Sequence, residues 1–506
     1  MRCTLPLGTA LLALVLVASG CGDRPAPPAD AQGEWSGQRL TGPVGPDQSP
    51  RLATAGDDAL VLLVSERGRV QPHVSRDGAP FAAGTPFATG LDGFFDVLTP
   101  VRLADGTWYT VATGGDDYVV RTLRSTDGLA WTVEPAAGLT GRAEVNALIA
   151  TADGVAAVGV RRHAADPSIG GFSALAWRST DGRAFTEVAL PEVPVYRGYR
   201  TESSVSGLVP VAGGALLATG RAGRAARVWR SADQGASWTA VDDPLLARAG
   251  GVDQPVADGD RVLASVSGLS HPIVLSDDGG RSWRIDRGLQ VPPESDDWVP
   301  LWQAGSRTLT VRSAAAEGAD WSRPEVCYAD LDQCGAGAGP GPRLAVSEDG
   351  AHWRAVVGPT DVDAAAATAD GRLLVLRSGA KGRFLDTWPA GVPLADAPGL
   401  DRPRTVDLVR LAEGERPEVG TRYAAPLYTH CGIDRIWFGE QGWQRTDDGP
   451  GYEAGDRPPA GWPIPPGGGS VYGYATLGAD GVLTYADGGG AVLATYEKAA
   501  EPFFCA

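Results

Sequence analysis

The sequence predicts an all-β protein whose main body is a β-propeller, and three observations carry that expectation. A short motif recurs six times at near-blade spacing, small-residue or Asp-Gly turns recur between the copies, and no stretch shows sustained helical periodicity. The copies are Ser75-Arg-Asp77-Gly78-Ala-Pro-Phe81, Ser125-Thr-Asp127-Gly128-Leu-Ala-Trp131 and Ser179-Thr-Asp181-Gly182-Arg-Ala-Phe185. They continue with Ser231-Ala-Asp233-Gln-Gly235-Ala-Ser237-Trp238, Ser276-Asp-Asp278-Gly-Gly280-Arg-Ser282-Trp283 and Ser347-Glu-Asp349-Gly350-Ala-His-Trp353. Successive copies start 50, 54, 52, 45 and 71 residues apart. In each, Ser and Asp oxygens can accept backbone N–H groups across a tight turn, and Gly supplies the positive φ that such turns need. The closing Trp or Phe turns back into the sheet, where it buries a large apolar area.

Each copy sits among four short strands, as a propeller blade requires. In the third unit the expected strands are Asn146–Thr151, Val155–Val160, Ala174–Ser179 and Phe185–Leu190. The Ala152-Asp-Gly154 turn joins the first two and the motif joins the last two. Similar turns recur at Ala104-Asp-Gly106, Ala212-Gly-Gly214, Ala257-Asp-Gly259 and Ala369-Asp-Gly371. The count comes to seven blades between about Gln48 and Val392. The seventh keeps early strands at Ala364–Ala369 and Arg372–Arg377 but has no motif, so six blades plus a divergent strand pair is the alternative.

The motif resembles the Asp-box, or bacterial neuraminidase repeat, with consensus S-x-D-x-G-x-x-W. Only the fourth and fifth copies have full length; the others lack one residue between Asp and Gly. The resemblance implies a sialidase-like propeller in which Asp77, Asp127, Asp181, Asp233, Asp278 and Asp349 are structural turn residues away from the active face. In that superfamily an Arg triad grips a carboxylate, an Asp is the acid/base and a Tyr–Glu pair supplies the nucleophile. The first Arg stands in an F-R-I-P type motif. Here Pro50-Arg51-Leu52-Ala53 lies near that place without the Ile-Pro ending.

The N-terminus has the layout of an export signal: Arg2, an apolar run from Leu11 to Val17, then Ala18-Ser19-Gly20-Cys21. The apolar run is shorter than the roughly 20 residues of a membrane span. Ser19-Gly20-Cys21 resembles a bacterial lipobox, with Ala18 where Leu is usual, and this implies lipidation of Cys21; a plain cleaved signal is the alternative. The domains expected are a signal at 1–20, a Pro/Ala-rich tether at 21–34, the propeller at 35–395 and a small β-rich domain at 396–506. The last carries alternating segments at Val471–Leu477, Val482–Ala486 and Ala491–Tyr496. Its Tyr428-Thr-His430-Cys431-Gly432-Ile433 stretch and Pro-rich surround of Trp462 resemble a small domain fused to secreted actinobacterial proteins.

The formal net charge of −17 argues against a nucleic-acid partner, because an acidic surface repels phosphates. Gly and Pro are abundant, at 69 and 39 residues, but fifteen Trp and regular apolar runs point to a folded chain. With Cys3 in the signal and Cys21 lipidated, Cys327, Cys334, Cys431 and Cys505 form an even set for an oxidising compartment. The local pairing Cys327–Cys334 with Cys431–Cys505 is expected among three connectivities. A zinc site competes, yet no CxxC or paired His accompanies these residues. The histidines, at 73, 163, 271, 352 and 430, form no HExxH pattern, and neither a G-x-S-x-G elbow nor a P-loop occurs, so no metal or cofactor is expected.

If the motifs close one end of every blade, the second-to-third-strand loops and the links between blades open at the other. The candidate ligand face there comprises Tyr196, Arg197, Tyr199, Arg200 and Glu202 on one link, Trp298 and Trp302 on another, and Trp321 in an insertion at Ala314–Pro342. Aromatics beside charged groups suit sugar or peptide recognition; packing between blades is the other role open to them. Two functions follow: a lipid-anchored scaffold binding a glycan, peptide or envelope protein without catalysis, or a divergent exo-acting glycoside hydrolase. A hydrolase needs two carboxyls about 5–9 Å apart, and Glu202 with Asp296 or Asp297 is the pair the links offer.

Overall fold

The computed structural model describes residues 35–40, 50–64, 68–91, 95–115, 118–139, 142–162, 172–191, 203–223, 225–267, 273–286, 300–312, 343–359, 362–379, 382–394, 396, 411, 416–428, 432–439, 441–447, 462, 470–487 and 490–500. Cys21, Cys327, Cys334, Cys431 and Cys505 lie outside these residues, as do Tyr196, Arg197, Tyr199, Arg200, Glu202, Asp296, Asp297, Trp298 and Trp321.

Among the described residues the chain is all-β apart from two single 3-10 turns, Ala212–Gly214 and Leu246–Arg248. Its strands form seven antiparallel sheets of four or five strands and, after them, one of six. The third sheet shows how the repeat is built. Ala143–Thr151, Gly154–Arg162, Phe172–Ser179 and Thr186–Ala189 pair in chain order. Gly154, at φ 145°, ends the first hairpin, and its Cβ position is filled by the Ser179 carbonyl at 2.1 Å. The remaining sheets repeat this meander, the seventh over its first three strands only, so the recurring turns read in the sequence fall between strands one and two or between strands three and four.

Both faces of a sheet are apolar, because each packs against a neighbour on either side. In Asp58–Val64, Leu60, Leu62 and Val64 join Phe95, Val97 and Trp108 of the second sheet. The alternate residues Ala59, Val61 and Leu63 join Leu374, Leu376 and Leu385 of the seventh. The pleat sends successive side chains to opposite faces, so one strand serves two cores. First strands of consecutive sheets pack together, and that of the seventh, Val362–Ala367, packs against that of the first, Arg51–Ala55. Four-stranded sheets arranged face to face in this way are the architecture of a propeller.

The last of these sheets takes its fourth strand from the opposite end of the chain. Ser36–Leu40 pairs antiparallel with Gly382–Trp388, from Ser36 opposite Thr387 to Leu40 opposite Arg383. Trp35 then packs on Trp388, ring centroids 5.3 Å apart, and donates from Nε1 to the Val357 carbonyl at 3.0 Å. The missing seventh motif has this cause: the third-to-fourth-strand turn it would form does not exist in a sheet whose outer strand arrives from elsewhere.

The six-stranded sheet has the order Arg422–Tyr428, Ser470–Leu477, Leu483–Ala486, Val492–Lys498, Gln441–Arg445, Arg435–Phe438. Its own core holds Trp443, Trp462, Tyr485 and Tyr496. The Tyr485 hydroxyl sits 2.9 and 2.8 Å from the Ala425 and Val471 carbonyls, and Tyr496 donates to the Ile433 carbonyl at 2.9 Å.

Candidate site: a polar collar at the loop end

The motif serines Ser75, Ser125, Ser179, Ser231, Ser276 and Ser347 stand opposite residues that open their second strands, at Ala59, Trp108, Val155, Leu216, Val262 and Thr308. All six turns are therefore at one end of the sheets, the motif end. Loops between strands two and three, and links to the next sheet, are at the other, the loop end.

The motif end is chemically saturated. At the fifth copy Asp278 accepts the Arg281 and Ser282 amides, each at 2.9 Å, and the Ser276 and Ser282 hydroxyls at 2.8 and 2.6 Å. Partial burial opposes ionisation of Asp278, but these bonds outweigh it and leave its pKa at about 2. The Ser237 hydroxyl holds Asp233 at about 2 as well. Asp127 and Asp181 are lowered chiefly by the amides of Ala130 and Ala184. At Asp349 burial is outweighed by His352, whose Nδ1 lies 2.5 Å from Oδ2 where the fourth and fifth copies place a serine hydroxyl. The first copy differs. Asp77 has φ 47°, and the Ser75 hydroxyl donates to the Ala79 carbonyl at 2.6 Å instead of to the carboxylate. Arginines then tie turn to turn: Arg76 to the Asp127 carbonyl at 2.8 Å, Arg124 to that of Asp181 at 2.6 Å, Arg230 to that of Gly279 at 3.3 Å.

At the loop end the first strands carry a shared irregularity. The register slips at Asn146, at Ser206, at Gln254–Pro255 and at Asp363, in sheets three, four, five and seven. A bulge re-aims the extra residue and interrupts edge pairing, and every one of these bulges contains a polar residue. In the fourth sheet Gly207 follows the bulge because a Cβ there would meet Pro255 Cδ at 2.1 Å.

The bulged side chains of sheets three, four and five bind the first strand of the next sheet, which is a free sheet edge with unpaired backbone groups. Asn146 Nδ2 donates to the Val205 carbonyl at 2.8 Å, and Gln254 Oε1 accepts the Leu301 amide at 3.2 Å. Ser206 hydrogen-bonds Asp253. Arg51, at the start of the first sheet, donates from Nε to the Val97 carbonyl at 2.6 Å and pairs with Asp96 at 2.6 Å. All four contacts run in the same direction, from one sheet to its successor. Two further ion pairs belong to this end. Glu144 accepts both Nε and Nη2 of Arg162, at 3.1 and 2.8 Å, while Arg162 lies over the Tyr118 ring at 4.7 Å. Buried Arg383 holds Asp363 at 2.8 Å. Burial raises the pKa of Asp253, against the Gln254 amide and the Ser206 hydroxyl. Gln254 is exposed and has φ 44°, a costly backbone for a residue with a side chain.

Of the residues singled out in the sequence, Arg51 stands in this collar, with its charge committed to Asp96. Trp302 is half-buried against the core between sheets six and seven. Among the described residues no group of three or more His, Cys, Asp or Glu is placed to hold a metal. Sequence reading passed over the bulge residues, although a signal exists: Val145-Asn-Ala, Val205-Ser-Gly and Val362-Asp-Ala each place one polar residue after a valine at the same point of the repeat.

No family model and no curated protein matches the sequence. Solved structures similar in fold include YCF48 bound to a D1 peptide, at 14% identity and TM-score 0.41, covering 74% of this chain and 100% of that one. A puromycin hydrolase matches at 11% identity and TM-score 0.43, covering 87% of this chain and 59% of its own. A mutant of Trypanosoma rangeli sialidase displaying trans-sialidase activity matches at 12% identity and TM-score 0.33, covering 67% and 53%.

Proposed function

We propose that the protein is an exported lipoprotein, anchored through Cys21, whose seven sheets are the blades of one propeller that binds a glycan, peptide or envelope protein at its loop end without turning it over. The observation that carries this reading is the state of the charged groups. The motif carboxylates from Asp127 to Asp349 are taken up by their turns, and Arg51, Arg162 and Arg383 are each held by a carboxylate. An Arg clamp for a substrate carboxylate needs guanidinium groups open to the ligand. Groups fixed in this way instead form a pre-organised polar surface, which lowers the ordering cost of binding. The Asp-box aspartates are then structural, and the local disulfides Cys327–Cys334 and Cys431–Cys505 brace an insertion and the C-terminal domain.

One observation favours the hydrolase reading: Asp253, with its raised pKa, has the property of a general acid. A glycan and cell-wall fragment array probed with the soluble chain 32–506 separates the two. Saturable binding, lost in Trp298→Ala or Gln254→Ala and with no product released, supports the binding protein. Release of sugar that stops in Asp253→Asn overturns it in favour of the hydrolase. Failure to bind any saccharide directs the search to envelope proteins and peptides.

A further inference from the structure

We infer that the motif end of the propeller faces the membrane and that the loop end, with its polar collar, faces away from it. The inference rests on lipid anchoring at Cys21, and the direction of one strand carries it. Ser36–Leu40 enters the seventh sheet at Ser36, opposite Thr387, and Thr387 and Trp388 stand beside Leu373 and Leu374 at the motif end. The strand leaves at Leu40, opposite Arg383, at the loop end. The chain preceding Ser36 therefore departs from the motif end.

That departure point is fixed. Trp35 is wedged on Trp388, its indole N–H bonded to the Val357 carbonyl of the sixth sheet, and Gly358 lies against the same ring at 3.4 Å from where its Cβ would be. Thirteen residues, 22–34, separate Cys21 from this clasp. Fully extended they reach at most about 45 Å. The first strand of the third sheet, Ala143–Thr151, crosses from one end of the propeller to the other, about 30 Å for nine extended residues. Turning the loop end toward the bilayer would use about two thirds of that reach on the height of the sheet alone, and every chain path that turns back would be lost. With the motif end down, none of that reach is spent on the height of the sheet. The collar then opens toward ligands that arrive from the side away from the membrane.

The test uses the full-length lipidated chain in vesicles of phosphatidylethanolamine and phosphatidylglycerol carrying a rhodamine-headgroup lipid. A donor dye is placed on Ala232→Cys, exposed at the motif end, or on Val119→Cys, exposed at the loop end, with the labelled wild-type chain as blank. Energy transfer to the headgroups is expected to be several-fold greater from position 232, and shortening the tether by removing residues 23–32 should raise it further. Equal transfer from both positions, or more from 119, overturns the orientation while leaving the anchor intact. Vesicle association that persists in Cys21→Ser, or a wild-type chain that carries no lipid, overturns the anchor and the orientation with it.

Discussion

At the scale of single residues, the motif aspartates link the repeat to pH. Asp233 and Asp278 have folded pKa values of about 2, below the value of about 3.9 for an unfolded carboxyl. A depressed folded pKa gives stability that is present above the unfolded value and lost as pH falls through the folded one. Denaturant melts should therefore show stability declining between about pH 4 and pH 2, and Asp278→Asn should flatten part of that decline. At pH 7 the same variant should lose about 1–2 kcal/mol, the scale of charge-assisted hydrogen bonds at an exposed turn. His352 has the opposite sign. Its bond to Asp349 raises its pKa, so its contribution is complete below the unfolded value of about 6.5 and fades as pH rises through the folded value. An NMR titration should find the His352 ring titrating above a free histidine. Asp349→Asn should return it to the ordinary value, and a ring that titrates normally in the wild type would remove this bond from the account.

At the scale of the element, the motif glycine is both a turn residue and a packing residue. Gly280 has φ 81°, and a Cβ there would stand 2.4 Å from Leu217 Cδ1 of the preceding sheet. Gly259, in another turn at the same end, has φ 65° with nothing within 4 Å of its Cβ position. Gly259→Ala should cost about 1 kcal/mol from backbone strain alone. Gly280→Ala should cost about 2–4 kcal/mol, because overpacking adds to the strain. Equal losses in thermal melts would show that the turn, and not the contact between sheets, sets the requirement. Hairpins of this kind were legible in the sequence. The third-unit strands expected at Asn146–Thr151, Val155–Val160 and Ala174–Ser179 lie inside the observed Ala143–Thr151, Gly154–Arg162 and Phe172–Ser179. The observed strands begin earlier because Ala143, Glu144 and Phe172 pair across the ladder without an alternating pattern to announce them.

At the scale of the whole molecule, the last sheet is completed by the five residues Ser36–Leu40. Removing residues 22–34 should leave the thermal midpoint unchanged. Removing 22–47 deletes Trp35 and Leu40 and exposes the edge of Gly382–Trp388. The loss should be at least about 3 kcal/mol, the usual cost of one large buried side chain, and the bare edge should promote aggregation. Midpoints that agree for both truncations would mean that the sheets hold together without this strand. At the motif end the same seam is joined by Asp370, whose amide donates to Asp57 Oδ1 at 2.8 Å, and by the Ala369 amide on the Gly56 carbonyl at 2.7 Å.

By itself the sequence determined the all-β class, the period of the repeat, the turn chemistry and the order of the strands within a unit such as the third. All of these are encoded over a few residues: a serine and an aspartate two apart, a glycine where φ is positive, an apolar run the length of a strand. The tertiary structure alone decided which strand completes the last sheet, which sheets share a core and which polar groups meet at the loop end. Ser36 and Thr387 lie more than three hundred residues apart, and no local pattern in either segment names the other. The collar is hidden for the same reason. Asn146 and Gln254 are ordinary polar residues in their own strands, and they gain their roles only when a neighbouring sheet brings the Val205 carbonyl and the Leu301 amide within reach.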